Sequence, residues 1–156
     1  MKGLVGHCNF PRIWWLWACV IGTVFGVVCF FSIRWILGDL PPGWKYTGYV
    51  GEPVGYLVPF FAFYLIVFCP VEEFFFRGVS YHVFRKHVGA PAGIILSSLV
   101  FVVWHPPIIE TPIMAAYIFV CGLIECTVFE RLKSLVPAIV VHIMINLAIL
   151  FSSHYL

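Results

Sequence analysis

The sequence predicts an all-α fold, a polytopic transmembrane bundle of about five helices. Composition is the first reason: of 156 residues, 62% are hydrophobic and 10% charged, with a mean hydropathy of +1.02, far outside the usage of a water-soluble domain. The second is that the apolar residues gather into five runs, about Ile13–Leu37, Gly55–Phe76, Pro91–His105, Pro112–Phe129 and Leu135–Phe151. The third is that none of these runs alternates as a barrel strand does, and a lipid-embedded backbone outside a closed barrel must be helical. Crossing ~30 Å of hydrocarbon takes about 20 helical residues, so a chain of this length supplies roughly four to six spans and no separate soluble domain. Residues 1–156 are read as a single membrane domain, with a motif-bearing core at about residues 55–151.

The first run is longer than the apolar region of a signal peptide, and no small-x-small cleavage site closes it, so it is expected to stay as a helix. Gly38 to Pro53 follows, with Asp39-Leu-Pro-Pro-Gly43, and reads as a surface loop or short re-entrant piece. The second run leads into an amphipathic stretch, Gly78 to Lys86, through which the helix can continue. Pro91 opens the third run and Pro106-Pro107 stops it at His105. Arg131 to Ser134 separates the fourth from the fifth.

The formal net charge of +2 is too small for nucleic-acid binding, and the basic residues are spread over the short connections. Lys2 and Arg12 precede the first span, Arg85 and Lys86 precede the third, and Arg131 and Lys133 precede the fifth. The intervening connections carry Asp39, Lys45 and Glu52, or Glu110 alone. By the positive-inside rule this places the N-terminus in the cytoplasm and the C-terminus outside, in a multi-pass protein of the plasma (inner) membrane. Arg34 interrupts the pattern but sits at a helix end, where it can snorkel. The six cysteines form no CxxC pair and mostly occupy apolar runs, which indicates neither a disulfide framework nor a thiolate metal site.

Against this background a few polar residues require explanation. Glu72 and Glu73 stand in Phe68-Cys-Pro-Val-Glu-Glu-Phe-Phe-Phe-Arg77, enclosed by apolar residues. A buried carboxylate is costly unless paired or used, so either the helix has ended and both lie among headgroups, or they serve a function. Helix length favours the second alternative. If the helix continues to Lys86, Glu72 lies ~20 Å from its cytoplasmic end, and the third run carries His105 back by ~21 Å. His142 and Asn146, spaced i, i+4, share a face of the fifth helix, although His142 counts only ~12 Å from Ser134. Taken alone, that pair reads equally as an interhelical hydrogen bond. Glu73 and Arg77, also at i, i+4, are oriented for a mainly structural ion pair. His7, His82, His87 and His154 are read as solvated side chains near the interfaces.

A carboxylate and an imidazole at equal depth can bind and deprotonate a water, the general-base step of hydrolysis. A second imidazole with an amide can stabilise the oxyanion that forms when this water attacks a carbonyl. The motifs Glu72-Glu73-x-x-x-Arg77, Phe101-x-x-x-His105 and His142-x-x-x-Asn146 resemble, in order and across about Phe68 to Leu150, the three signatures of the CPBP family, which contains type II CAAX prenyl endopeptidases and bacteriocin-processing or immunity proteins. The flanking Ser97-Ser98-Leu-Val-Phe101-Val-Val-Trp-His105 and Ser134-Leu-Val-Pro-Ala-Ile-Val-Val-His142 are similar to the family's usual surroundings.

The resemblance implies a glutamate-dependent intramembrane endopeptidase acting on a membrane-anchored protein or peptide, without cofactor or metal. In it Glu72 and His105 activate water, His142 and Asn146 stabilise the oxyanion, and Glu73 and Arg77 support them. Two other readings stay open. Glu72, His105 and His142 can supply zinc with a carboxylate and two imidazoles, making a metal-dependent protease. A non-catalytic scaffold or bacteriocin-immunity protein can keep the same residues as a polar packing network. The orientation is directly measurable: reporters fused after Lys86 and after Lys133 are expected to report the cytoplasm and one after Leu156 the opposite side, and inverted signals would overturn the assigned topology.

Overall fold

A computed structural model describes residues 12–37, 59, 61–105 and 112–155, and its regular structure is entirely helical among them. Helix α1 spans Arg12–Leu37, α2 covers residues 61–88, α3 spans Ala90–Val103, α4 Pro112–Leu132 and α5 Leu135–Tyr155. The expected bundle of five helices is therefore present. The second helix continues well past the apolar run that announced it, reaching Val88. The proposed loop at Gly38 to Pro53 and the Pro106-Pro107 stop lie outside the described residues.

Two segments, Leu16–Ile36 and Pro112–Leu132, are long and apolar enough to cross a membrane, and Ala90–Val103 and Leu135–Ile149 are shorter apolar helices. Large apolar side chains stay exposed around the rim: Val24 and Val28 on α1, Phe63, Ile66 and Phe74 on α2, Leu99 and Val103 on α3. A water-soluble monomer rarely leaves so much apolar surface uncovered.

Helix α5 forms the centre. On one side α1 lies against it along a seam of small residues, Ala18, Gly22 and Gly26, spaced four apart and so on one face. A Cβ added at Gly22 would stand 2.7 Å from both Met144 Cβ and the Val141 carbonyl oxygen, and one at Gly26 2.7 Å from Ala148 Cβ. The two backbones approach closely because nothing intervenes, the means by which helices associate where lipid removes the hydrophobic drive. The spacing Gly22-x-x-x-Gly26 carried that information in the sequence.

On the other side α2, α3 and α4 close over α5. Gly89, at φ +82°, reverses the chain between α2 and α3, a conformation that side chains with a Cβ resist. Ser98 of α3 and Gly122 of α4 meet so closely that a Cβ on the glycine would lie 3.0 Å from that of the serine. Phe76, Phe101, Met114, Val141 and Ile145 fill the space between.

Helix α2 is not uniform. An α-helical piece, Cys69–Glu73, stands between two π-helical pieces, Tyr64–Phe68 and Phe74–Ser80, before α-helix resumes at Tyr81–Val88. Pro70 lacks an N–H to donate, and the wider π turns before it accommodate a proline that would otherwise break the helix. Despite the changes of pitch, Cys69, Glu73, Arg77 and Tyr81 keep one buried face.

The glycine seam is testable by overpacking. Gly22→Leu and Gly26→Leu are each expected to destabilise the detergent-solubilised protein by ~1–3 kcal/mol, seen as earlier thermal unfolding, while Gly22→Ser has a smaller effect. Unchanged melting of both leucine variants would show that α1 is not docked through this seam.

Candidate active site

The α-helical piece of α2 carries two adjacent acids into the interior. Because the helix runs on for four turns beyond them, Glu72 and Glu73 are not at a helix end. Glu73 is 0% exposed and Glu72 12%. Helix α3 stops at Val103, and the chain turns so that the His105 amide donates to the Val102 carbonyl at 3.0 Å. This turn holds the imidazole of His105 beside Glu72, with Nε2 3.8 Å from Glu72 Oε1. From α5, His142 Nε2 lies 3.6 Å from the other oxygen, Oε2. Both separations exceed a direct hydrogen bond and fall within reach of one shared water.

The far side of each ring determines what the near side presents. His105 Nδ1 is 2.7 Å from the Phe101 carbonyl oxygen, which can only accept, so Nδ1 carries the proton. His142 Nδ1 is 2.8 Å from Glu73 Oε1 and donates to that carboxylate in the same way. A neutral His105 ring therefore turns an unprotonated Nε2 toward Glu72, and His142 turns its own Nε2 to the same carboxylate. Glu72 Oε2 is itself buried and accepts no hydrogen bond from a group among the described residues.

Behind the imidazoles lies a charged network. Arg77 Nη1 lies 2.8 Å from Glu73 Oε1, the same oxygen that receives His142, so the i, i+4 ion pair expected from spacing is present. Arg77 Nη2 donates to Glu125 Oε2 on α4, and the guanidinium lies over the Phe101 ring, 4.5 Å from its centroid. Arg77 and Glu125 are each 1% exposed. Glu125 was passed over in the sequence because residues 112–129 read as one apolar run. Its signal was that of Glu72: an acid within a span, here on the buried face shared by Met114, Ile118, Cys121, Gly122 and Phe129.

The apparent mismatch in depth for His142 has a structural cause. Glu130 is bound by Tyr81 Oη at 2.5 Å, Arg85 at 3.2 Å and Lys133 at 2.5 Å, which ties the α4–α5 turn to α2 between Tyr81 and Arg85, short of its last residue Val88. From Tyr81 to Glu72 is ~13 Å along the helix and from Ser134 to His142 ~12 Å, so the two meet. Asn146 is placed differently. Its amide donates to Cys69 Sγ at 3.5 Å, one turn from Glu72 and Glu73, and this occupies one of its two N–H groups. His82 is exposed with Nδ1 3.3 Å from the Arg77 carbonyl, and His87 is exposed, while His7 lies outside the described residues.

Two groups of side chains bear on metal binding. Glu73, Glu125 and His142 offer ligand atoms within 4.8 Å of one another, but Arg77 already stands as a permanent cation between the two carboxylates, so the set does not suit a metal. Glu72 with the two Nε2 atoms is a set that zinc accepts. The described cysteines are all free.

No curated protein and no solved structure matches the chain. A family model does: that of the type II CAAX prenyl endopeptidase Rce1-like family covers residues 54–148, which include every residue of the network from Glu72 to Asn146. The match spans well over half of the chain, which therefore belongs to the Rce1-like family, a family of membrane peptidases.

Proposed function

We propose that this protein is a glutamate-dependent intramembrane endopeptidase that cleaves a membrane-anchored protein or peptide. The observation that carries the reading is the meeting of Glu72 with two imidazoles whose Nδ1 atoms are both committed elsewhere. A water hydrogen-bonded between Glu72 Oε1 and His105 Nε2 gives one proton to Glu72 as its oxygen lone pair attacks a substrate carbonyl carbon, and His105 orients it. The carbonyl oxygen becomes an oxyanion as the tetrahedral intermediate forms. His142, in its doubly protonated form, donates to it through Nε2, and Asn146 donates the N–H that Cys69 does not take. Collapse of the intermediate breaks the C–N bond, and the amine leaves with the proton that the water gave up.

Membership of a membrane peptidase family supports this chemistry, as does the apolar rim, which suits a protein that crosses the bilayer several times with its site below the surface. The substrate is a membrane-associated segment, for which a prenylated C-terminus is the first class to test. Glu72→Gln and His105→Ala are each expected to reduce cleavage of a farnesylated CaaX reporter peptide in liposomes by about 10³-fold or more while helicity and elution are retained. Normal turnover in either variant would remove the general-base assignment.

The committed Nδ1 atoms also suit a metal-dependent form of the same hydrolysis, because imidazoles that bind zinc are held from behind in this manner. Elemental analysis and chelator dialysis separate the two. Metal-free protein with undiminished turnover is expected; stoichiometric zinc, with activity lost on chelation and restored by zinc, would establish the metal mechanism instead.

A further inference from the structure

We propose that Glu125 is a positioning residue of this site, holding Arg77 so that Glu73 and the ring of His142 stay aligned with Glu72. The proposal rests on the catalytic reading of Glu72 and His142 given above.

The charge of Arg77 alone does not account for Glu125. Arg77 already has a carboxylate one turn away in Glu73 and needs no second. Adding Glu125 leaves two buried acids around one permanent cation, and buried ion pairs of this kind are often replaceable by apolar groups without loss of stability. An acid at the centre of an otherwise apolar α4 therefore calls for another explanation.

Its contacts supply one. The Arg77 guanidinium is planar, and it is gripped on one edge by Glu73, on the other by Glu125 and across its face by the Phe101 ring. Held on three sides, it fixes Glu73 Oε1, which receives His142 Nδ1 at 2.8 Å. The second oxygen of Glu125, Oε1, lies 3.8 Å from that same Nδ1, so the donor faces carboxylate oxygens from two helices. The backbone carbonyl of Phe101 in turn holds His105. The ring that covers the guanidinium thus belongs to the residue that orients the second imidazole. Helices α2, α3 and α5 place side chains around Glu72, and Glu125 ties the fourth, α4, to them.

Glu125→Gln keeps the size of the side chain and one acceptor for Arg77. Its new amide N–H groups confront the His142 Nδ1–H, donor against donor, so the ring is expected to turn. Cleavage of the farnesylated reporter is expected to show kcat lower by about 10- to 100-fold, with KM within about 3-fold, as for partners that orient an imidazole from behind. The discriminating readout is a double-mutant cycle. In a His142→Ala background Glu125→Gln should lower kcat no further than about 2-fold, whereas a purely structural role predicts the full additional loss.

A second readout does not use turnover. In protein labelled with 15N in the imidazole rings, the His142 Nδ1–H is expected to be protected from exchange in the parent and unprotected in Glu125→Gln, with helicity retained. Loss of that protection in a protein whose Glu72→Gln variant cleaves normally would uphold the positioning and overturn the catalytic reading. Retained protection together with additive kinetics would overturn the role of Glu125. Should Glu125→Gln fail to fold, Glu125→Asp, which keeps the charge but shortens its reach by one methylene, undergoes the same two measurements, with the kinetic and exchange effects expected in the same direction.

Discussion

A guanidinium that cannot lose its proton, enclosed in an apolar bundle, is the constraint around which the interior is organised. Arg77 is 1% exposed, and a charge there is tolerable only with compensating partners. Glu73, Glu125 and the face of Phe101 are those partners, and each belongs to a different helix. Removing one partner of such a buried pair typically costs ~3–5 kcal/mol, because the remaining charge is left unmatched. The pairing therefore does more than hold helices together: it sets the rotation of α2, α3 and α4 about a common point.

Helix length then determines what stands beside that point. Fourteen residues give α3 a rise of ~21 Å, less than the ~30 Å of a hydrocarbon core, so its C-terminal end falls short of a full span. A histidine after a short helix is thereby delivered to the depth of Glu72, and the free end of the helix supplies the Phe101 carbonyl that orients it. Helix α5 reaches the same depth by another route, starting from a turn drawn inward by Glu130 and its three partners. The two imidazoles thus approach Glu72 from opposite ends of the chain's core and present the same nitrogen.

The glycine seam between α1 and α5 is separate from this polar centre yet bears on it. His142 and Asn146 project from the side of α5 that faces α2, while α1 covers the opposite side at Val141, Met144, Ile145 and Ala148. A helix that is covered on one side without bulky side chains can be packed on both, which is why the most central helix carries the functional pair.

The sequence by itself determined the class of the fold, the number of helices, and that Glu72, Glu73, Arg77, His105, His142 and Asn146 needed explanation, because composition and local spacing carry that information: an apolar run is legible from its length, and an i, i+4 pair such as Glu73 and Arg77 is close on any helix. Counted from Ser134, His142 falls short of Glu72 unless the Arg131–Ser134 connection is sunken, and the seat of that turn depends on a contact between Glu130 and Tyr81, 49 residues apart. Glu125 was missed for the same reason: its partner is 48 residues away, and no local pattern distinguishes it from a stray acid. The contact of His142 Nδ1 with Glu73 and that of Asn146 with Cys69 were likewise decided only in the tertiary structure, because each depends on which atoms distant segments bring within 4 Å, a quantity that helix periodicity does not encode.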